Sequence, residues 1–337
     1  MMRQLLVLGE SSVVGRAIVS EALDDCCAVT TFNRGRSGQT QAAVRSLIGD
    51  RIDPPTLQQL AGQHWDLVVD TWSGAPRAVR DSARVLCRHA GHYAYISSES
   101  VYEPPPPPGA DESSPTVRAS PEAIDGSYPE LKRGAELALE QQLPDRSLFA
   151  RAGLILGPHE NVGRLTWWLA RMARGGEVLC PGPTDLPLQC IDARDLARFV
   201  LTAAQAGATG PFNAVCRRGQ VTMGTLLDAC RAVAGSDDAT LTWVDQATIE
   251  AAGIQPWEEL PIWIPADHQY AGMHDANVER AHDAGLTCRP IRDTVADTWR
   301  WMSRLDEPVP ARGGLPTPGL DADRDRAVLA AWHHGAS

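Results

Sequence analysis

The chain has 337 residues, enough for one large domain or two smaller ones with a full hydrophobic core. Apolar residues make up 43% and charged residues 22%, which excludes wholesale disorder, a collagen-like repeat and a disulfide scaffold. Acidic residues outnumber basic ones by 42 to 31, and the net charge is -11. Without a basic cluster, such a chain is not expected to bind nucleic acid or an anionic membrane.

The sequence carries no signal for a membrane span, secretion or metal binding. No segment approaches the roughly 18 uninterrupted apolar residues of a spanning helix, and we expect no signal peptide. The eight cysteines are scattered, without a CxxC pair or a Cys/His metal spacing. We therefore predict reduced thiols, no metal site and a cytoplasmic protein.

Short apolar runs alternate with helical patterns in the first half of the chain, which predicts βα units and a parallel sheet. The predicted strands are 5–8, 28–32, 65–70, 92–96 and 147–150, with a further short apolar stretch before Asp50. One predicted helix begins at Val13, and two more cover 77–88 and 128–142. The fold class is therefore α/β, a doubly wound parallel sheet with a smaller interleaved C-terminal lobe.

Beyond residue 153 the strict alternation fades. A strand over 188–191 and a helix from Asp192 or Ala193 predict a return to the main sheet. We predict a first domain, a lobe, and a linker with a C-terminal helix. The first domain comprises 1–152, with 186–218 returning to it. The lobe comprises 153–185 and 219–305, and the linker with the C-terminal helix comprises 306–337.

Two features have both a functional and a structural interpretation. The five prolines Pro104–Pro108 form a docking ligand, an active-site rim or a surface connection, and we favour the surface connection. Aromatic residues of the lobe line a pocket or fill its core, and we favour the core. These residues are Trp167, Trp168, Trp243, Trp257 and Trp263.

A glycine loop joins the first predicted strand to the first helix. A dinucleotide-binding (Rossmann) fold needs glycines there for a tight turn and for close approach of backbone to pyrophosphate, which the helix amides then face. Ser12 replaces the middle glycine of the usual G-x-x-G-x-x-G pattern. The predicted phosphate-binding residues are Gly9, Ser11, Ser12, Val13, Val14 and Gly15.

The end of the second strand lies about 20 residues past the loop, where the adenosine ribose is expected. Asn33, Arg34 and Arg36 occur there, and no acidic residue does. An acid would accept from the ribose 2′-hydroxyl, whereas guanidinium groups match a 2′-phosphate. We therefore predict NADP(H) over NAD(H), with two solvated arginines as the alternative. Asp50 accepts from the adenine amino group or serves as a turn residue.

Of the 31 basic residues, Lys132 alone is a lysine. Tyr128 precedes it by four positions, so the two share one face of the predicted helix. A tyrosine with a pKa of about 10 exchanges protons poorly at neutral pH unless a nearby cation stabilises the phenolate. Lysine supplies that cation, and the bulkier arginine is not equivalent. Hydroxyls near Ser98 follow the fourth strand, where they hold a substrate oxygen or cap the strand end.

These residues resemble the extended, atypical short-chain dehydrogenase/reductases of the NAD-dependent epimerase/dehydratase group. The resemblance covers most of residues 1–305. It rests on the glycine loop, Ser97-Ser98-x-x-Val101-Tyr102, Tyr128-x-x-x-Lys132 and Ile191-Asp192-Ala193-Arg194-Asp195-Leu196. Phe32-Asn33-Arg34-Gly35 is similar to a mostly bacterial branch of the group.

The resemblance implies that Tyr128 is the general acid/base, that Lys132 assists it and that Ser98 orients the substrate oxygen. Residues 1–152 then bind the dinucleotide and the lobe binds the substrate. Beyond the glycine loop, the implied cofactor contacts are Asp50, Arg51, Trp72, Ser73, Lys132, Ala152 and Gly153. Dehydratases of the group carry Thr-Asp-Glu where this chain has Ser98-Glu99-Ser100, and Ser100 cannot act as a carboxylate base.

We therefore predict an NADP(H)-dependent ketone reductase or alcohol dehydrogenase acting on a small molecule. An epimerase of a sugar nucleotide or related metabolite with tightly bound NAD(P) is the alternative. A non-catalytic dinucleotide sensor is the alternative from another class, which Ser12 favours slightly and the catalytic residues oppose. The sequence leaves the substrate and the formation of a homodimer open.

Overall fold

The structure is a computed structural model that describes residues 3–35, 42–306, 309 and 318–335. The strands are β1 (Gln4–Leu8), β2 (Ala28–Asn33), β3 (Arg45–Ile48), β4 (Trp65–Asp70), β5 (Ala90–Ser98), β6 (Ser147–Ala152), β7 (Leu154–Leu156), β8 (Glu177–Pro181), β9 (Pro187–Leu188), β10 (Cys190–Asp192), β11 (Gly210–Ala214), β12 (Val221–Thr222), β13 (Thr240–Val244), β14 (Pro256–Trp257) and β15 (Leu260–Pro261).

The α-helices are α1 (Val13–Asp24), α2 (Pro54–Leu57), α3 (Pro76–Leu86), α4 (Tyr128–Gln142), α5 (Arg164–Ala173), α6 (Ala193–Gln205), α7 (Met223–Ala234), α8 (Gln246–Ala251), α9 (Glu279–Asp283), α10 (Ile291–Met302) and α11 (Ala322–Gly335). Short 3₁₀ helices cover Gln58–Gly62, Glu99–Val101 and Ala271–His274. Within the described residues, no helix is long and apolar enough to cross a membrane.

The main sheet is parallel and has the strand order β11-β6-β5-β4-β1-β2-β3. The strand order reverses between β1 and β4, where Leu8 lies beside Asp70. The loops that follow these two strands are therefore neighbours at the carboxyl edge of the sheet. Open α/β sheets bind ligands at such a reversal point. The predicted doubly wound fold is confirmed.

Helices flank this sheet and explain why its strands are so apolar. α1 packs on α6, and α3 packs on α4. The residues of β1 from Leu5 to Leu8 are almost fully buried, as expected for a parallel strand covered on both faces. One core cluster joins residues of β1, β2, β4 and β5 to the inward faces of α3 and α4, among them Leu6, Phe32, Val68, Val79, Leu86, Tyr93 and Leu139.

The strand predicted over 188–191 does not join the main sheet, whereas the helix predicted from Asp192 or Ala193 is α6, which packs on α1 within the same compact unit. β9 pairs antiparallel with β12, and β10 pairs parallel with β7. Gln189 lies between β9 and β10, and its buried side chain bonds the backbone of Cys216 and Ala276. The chain instead returns to the main sheet at β11, which pairs with β6. This strand was not predicted from the sequence.

The described residues form two compact units. The first comprises those of Met1–Gly153, Ala193–Val215 and Asn277–Thr287. The second comprises those of Leu154–Asp192, Cys216–Ala276 and Cys288–Ser337. The assignment of the dinucleotide and the substrate to separate domains stays a prediction.

The second unit has a core of its own built from α5, α7, α10 and short strands. Trp168 and Trp263 are fully buried in this core, and Trp167 and Trp243 pack against it. Trp257 has different surroundings, since the guanidinium carbon of Arg164 lies 4.4 Å from the centroid of its ring. Its backbone also has φ 68°.

Candidate active site

The glycines of the first loop occupy positions that exclude a side chain. Gly9 has φ 101°, and a Cβ there would lie 2.5 Å from Thr71 Oγ1. A Cβ on Gly15 would lie 2.2 Å from the Gly9 carbonyl oxygen. Backbone therefore packs directly on backbone where α1 begins, which is the geometry that lets a helix start close to a phosphate.

Ser12 is the N-cap of α1. Its Oγ accepts the Gly15 N–H at 2.9 Å and lies 3.3 Å from the Gly9 carbonyl and from Thr71 Oγ1. The amides of Val13 and Val14 occupy the first two helical positions, which have no acceptor within a helix. These two amides are the donors that α1 can offer to a pyrophosphate, beside the exposed Ser11.

The end of β2 carries an amide that bridges two segments. Asn33 Nδ2 donates to Glu10 Oε1 at 2.6 Å, and Asn33 Oδ1 accepts the Gly35 N–H at 2.7 Å. Arg34 is exposed, and Arg36 lies outside the described residues. Sequence reasoning did not single out Glu10, because its importance depends on this contact between the first loop and the end of β2.

Asp50 and Arg51 follow β3 and have different surroundings. Asp50 Oδ1 accepts the Ile52 N–H at 3.2 Å, as a turn residue does. The Arg51 guanidinium is buried against Asp70, at 2.5 and 2.7 Å, and against Ser82. Arg51 therefore supports the neighbouring strand, and a direct contact of either residue with a cofactor stays a prediction.

Asp70 fixes the loop that follows β4. Besides Arg51, its carboxylate accepts the Tyr93 hydroxyl at 2.7 Å and the Trp72 N–H at 2.9 Å. The Trp72 indole N–H donates to the Ala75 carbonyl at 2.9 Å, and Ser73 is half-buried beside it. These bonds hold the Trp72 carbonyl in a defined place.

Lys132 is buried at this edge of the sheet, with 3% of its surface exposed. Its Nζ donates to the carbonyls of Trp72 and Ile96, both at 2.7 Å. The Tyr95 hydroxyl donates to the same Trp72 carbonyl at 2.9 Å, and burial raises the pKa of Tyr95 well above its usual range. Tyr95 therefore stays a neutral donor that helps fix the ammonium group.

Tyr128 is the first residue of α4 and is 42% exposed. Glu130 anchors this end of the helix by accepting from the N–H and hydroxyl of Ser127. The Lys132 Nζ lies 5.9 Å from the Tyr128 ring centroid. The predicted helix over 128–142 is confirmed, and it presents an accessible phenol beside a buried ammonium group.

Ser98 ends β5 and is largely buried. Its Oγ lies 3.1 Å from the Ser100 hydroxyl and accepts the Ser100 N–H. Lys132 bonds the Ile96 carbonyl two residues earlier on the same strand, and α4 packs against the 3₁₀ helix after Ser98. The three predicted catalytic residues therefore belong to one edge of the sheet, and their roles stay predictions.

Ala152 and Gly153 follow at the end of β6. Ala152 is buried, and a Cβ on Gly153 would lie 2.5 Å from Glu99 Oε2. The glycine thus lets the Glu99 carboxylate approach the backbone after β6. Among the described residues, no group of three or more His, Cys, Asp or Glu side chains is arranged to hold a metal ion.

The reversal of strand order, the glycine loop and the Tyr128–Lys132 pair at one sheet edge define a dinucleotide-binding enzyme of the Rossmann type. Residues 5–215 match the NAD dependent epimerase/dehydratase family, and the chain belongs to that family. It is therefore an NAD(P)-dependent enzyme of oxidoreductase or epimerase type.

Several solved structures share the fold. The Bordetella bronchiseptica enzyme WbmH, in complex with NAD+, is 17% identical, with a TM-score of 0.64 over 90% of this chain and 99% of that one. UDP-N-acetylglucosamine 4-epimerase from Methanobrevibacter ruminantium, in complex with UDP-N-acetylmuramic acid, is 16% identical, with a TM-score of 0.66 and the same coverages. UDP-glucose 4-epimerase from Thermotoga maritima, with UDP-glucose, is 14% identical, with a TM-score of 0.64 over 89% and 99%. Comparison with curated proteins gave no match.

Proposed function

We propose that the chain interconverts a secondary alcohol and a ketone of a small molecule, with Tyr128 exchanging the proton. The observation that carries this proposal is the placement of Lys132. Two backbone carbonyls hold its ammonium group 5.9 Å from the Tyr128 ring centroid. A fixed positive charge at that distance stabilises the phenolate form that proton exchange requires.

The residues at the edge of the sheet are suited to a bound dinucleotide. The Val13 and Val14 amides and the close-packed glycines would hold the pyrophosphate. A bound NAD(P) would supply the hydride acceptor for a substrate alcohol and the hydride donor for a substrate ketone. In the reductive direction, Tyr128 gives its phenolic proton to the ketone oxygen, and in the oxidative direction it takes the hydroxyl proton. Ser98 orients that oxygen by donating a hydrogen bond.

A screen with the purified chain tests this activity. Ketones and secondary alcohols are offered with NADH, NADPH or the oxidised cofactors, and the absorbance of the reduced nicotinamide is followed. We expect stoichiometric turnover of cofactor with at least one compound and its loss in Tyr128→Phe. Failure of both dinucleotides to bind would contradict the proposal.

An epimerase is the second candidate, and it uses the same three residues for oxidation followed by re-reduction on the opposite face. The similar structures favour it, since two of the three described above are UDP-sugar 4-epimerases. Nucleotide released on denaturation of the purified chain, together with interconversion of UDP-sugar epimers without net cofactor consumption, would identify this activity. A requirement for added reduced cofactor favours the reductase instead.

Two other activities have less support. Dehydration by the family's Asp-Glu pair is disfavoured, because Ser100 stands where a carboxylate base is needed. A non-catalytic sensor would have no need for a fixed lysine beside an accessible tyrosine. Dinucleotide binding without turnover of any small molecule would favour the sensor.

The cofactor preference depends on the end of β2. The prediction of NADP(H) requires that Arg34 or Arg36 reach a 2′-phosphate. The Arg34 side chain is exposed, so it can turn towards a bound phosphate or remain in solvent. Comparative titration with NADPH and NADH decides which cofactor the chain prefers. The charge of Glu10 also affects this preference.

A further inference from the structure

Glu10 places a carboxylate at the end of β2, where the sequence has no acid of its own. Its Oε1 accepts from Asn33 Nδ2 at 2.6 Å, and Asn33 is the last residue of β2. Asn33 is held in turn by the Gly35 N–H, at 2.7 Å from its Oδ1. Asn33 therefore holds the Glu10 carboxylate in place, and the Gly35 N–H holds Asn33. In this way a residue of the loop after β1 places its carboxylate at the end of β2.

The end of β2 is where the adenosine ribose of a bound dinucleotide is expected. A carboxylate there accepts a hydrogen bond from the 2′-hydroxyl of NAD(H). It also repels the 2′-phosphate of NADP(H), which carries negative charge at neutral pH. Arg34 opposes this effect, but its guanidinium is exposed, so solvent screens its charge more strongly.

We propose that Glu10 is a specificity-determining residue that makes the chain prefer NAD(H) over NADP(H), with Asn33 as its positioning residue. This inference rests on the proposed dinucleotide-dependent function. It assigns the ribose contact to the first loop of the sheet, and it reverses the preference that the arginines alone predict.

The test is titration of NADH and NADPH into the full chain and its variants, followed by nicotinamide fluorescence or calorimetry. The unmodified chain is expected to bind NADH at least about tenfold more tightly than NADPH. Glu10→Gln keeps the shape and removes the charge, so it should reduce this ratio about tenfold. Asp24→Asn is the matched control, because it removes an exposed carboxylate at the far end of α1, about 16 Å away, and should leave the ratio unchanged.

Two further measurements separate a charge effect from general damage. Added salt should raise the affinity for NADPH relative to NADH in the unmodified chain more than in Glu10→Gln, because salt screens the repulsion. Asn33→Ala should also lower the NADH preference while circular dichroism and melting temperature show a folded chain.

The outcomes distinguish this inference from the proposed function. Tighter binding of NADPH by the unmodified chain, or an unchanged ratio in Glu10→Gln, overturns the role of Glu10 and leaves the proposed function intact. No binding of either dinucleotide to any variant overturns the proposed function and the role of Glu10 together.

Discussion

Ser12 stands where the family pattern has a glycine, and it gives the phosphate loop a different set of hydrogen bonds. A serine side chain at this position can crowd the pyrophosphate or donate a hydrogen bond to it. The structure adds a third effect, because the Ser12 oxygen caps α1 by accepting the Gly15 N–H. The residue thus stabilises the helix at the cost of one amide that a phosphate could have used.

Ser12→Ala should lower the free energy of unfolding by about 1 kcal/mol, whereas Ser12→Gly should lower it by only a few tenths. The difference arises because glycine is tolerated at an N-cap and alanine is not. Urea unfolding of the three proteins measures it. A loss in Ser12→Ala no larger than that in Ser12→Gly would contradict the role of Ser12 as an N-cap. Ser12→Gly also releases the Gly15 amide, so we expect dinucleotide affinity to be kept or improved.

Lys132→Arg should lower turnover at least about tenfold, equivalent to ~1.4 kcal/mol of transition-state stabilisation. The compact ammonium group donates to two carbonyls in a buried site, and a planar guanidinium cannot reproduce both contacts there. Tyr128→Phe should lose at least as much, because it removes the proton carrier and keeps the ring. Turnover on the compound found by screening is the measurement.

Since Lys132 is buried, its variant also needs a folding control, and the melting temperature supplies it. Tyr128 is 42% exposed and Phe keeps its ring, so Tyr128→Phe should have the same melting temperature as the unmodified chain. Full activity in a folded Lys132→Arg would contradict the assigned role of the lysine.

The loop after β4 connects a buried ion pair to the candidate catalytic lysine. Arg51 and Asp70 pair beneath it, Asp70 holds the Trp72 N–H, and the Trp72 carbonyl accepts from Lys132. A buried pair of this kind is expected to matter most when only one partner is removed, because the other charge is then left without compensation.

Arg51→Met should therefore lower the free energy of unfolding by about 3–5 kcal/mol, the usual cost of breaking a buried pair. Asp70→Asn should also destabilise the chain, and the double variant should lose less than the sum of the two single losses. Denaturant unfolding of all four proteins completes the cycle. Additive losses would show that the two side chains act independently.

At the level of elements, the sequence predicted those helices and strands whose limits depend on neighbouring residues in the chain. α4 begins at Tyr128 and ends at Gln142 as predicted, because a serine cap, a first-turn proline and helical periodicity all agree. β11 was missed, since Gly210-Pro211 begins it and such a pair usually indicates a turn. The pairing of 188–191 outside the main sheet was not predictable, because it involves partners distant in sequence, as do the bonds of the Gln189 amide to Cys216 and Ala276.

The candidate site divides in the same way. Tyr128 and Lys132 were predicted from their spacing and from the single lysine, and Ser98 was predicted from the resemblance to the family. Glu10 and the Arg51–Asp70 pair were not, because their significance depends on contacts with residues on neighbouring strands.

The whole molecule should respond to pH through His274. Its Nδ1 accepts the Gln189 N–H at 3.1 Å, and its Nε2 lies 2.9 Å from the Ile262 carbonyl oxygen, so the neutral ring with hydrogen on Nε2 satisfies both. Burial lowers the pKa of His274 below its usual 6.5. A second proton would face the Gln189 N–H, which makes the charged form unfavourable in the folded chain.

Because the folded pKa lies below the unfolded one, this contribution to stability is complete above about pH 6.5 and is lost as pH falls towards the folded value. We expect the free energy of unfolding to fall between about pH 7 and pH 5. His274→Gln should flatten that dependence, although His92, whose pKa burial also lowers, retains part of it. The exposed His334→Gln is the control, and an equal slope in all three proteins would contradict the assignment.

The order of strands in the main sheet also has a consequence for how the chain is made. β6 leaves the ribosome well before β11, its neighbour in the sheet. At about 5–20 residues per second, the interval is roughly 3–12 s. Throughout it, the outer edge of β6 has unpaired backbone groups that can pair with another nascent chain. A truncation at Gly153 would leave this edge open permanently, so we expect residues 1–153 alone to aggregate unless the segment that contains β11 is kept.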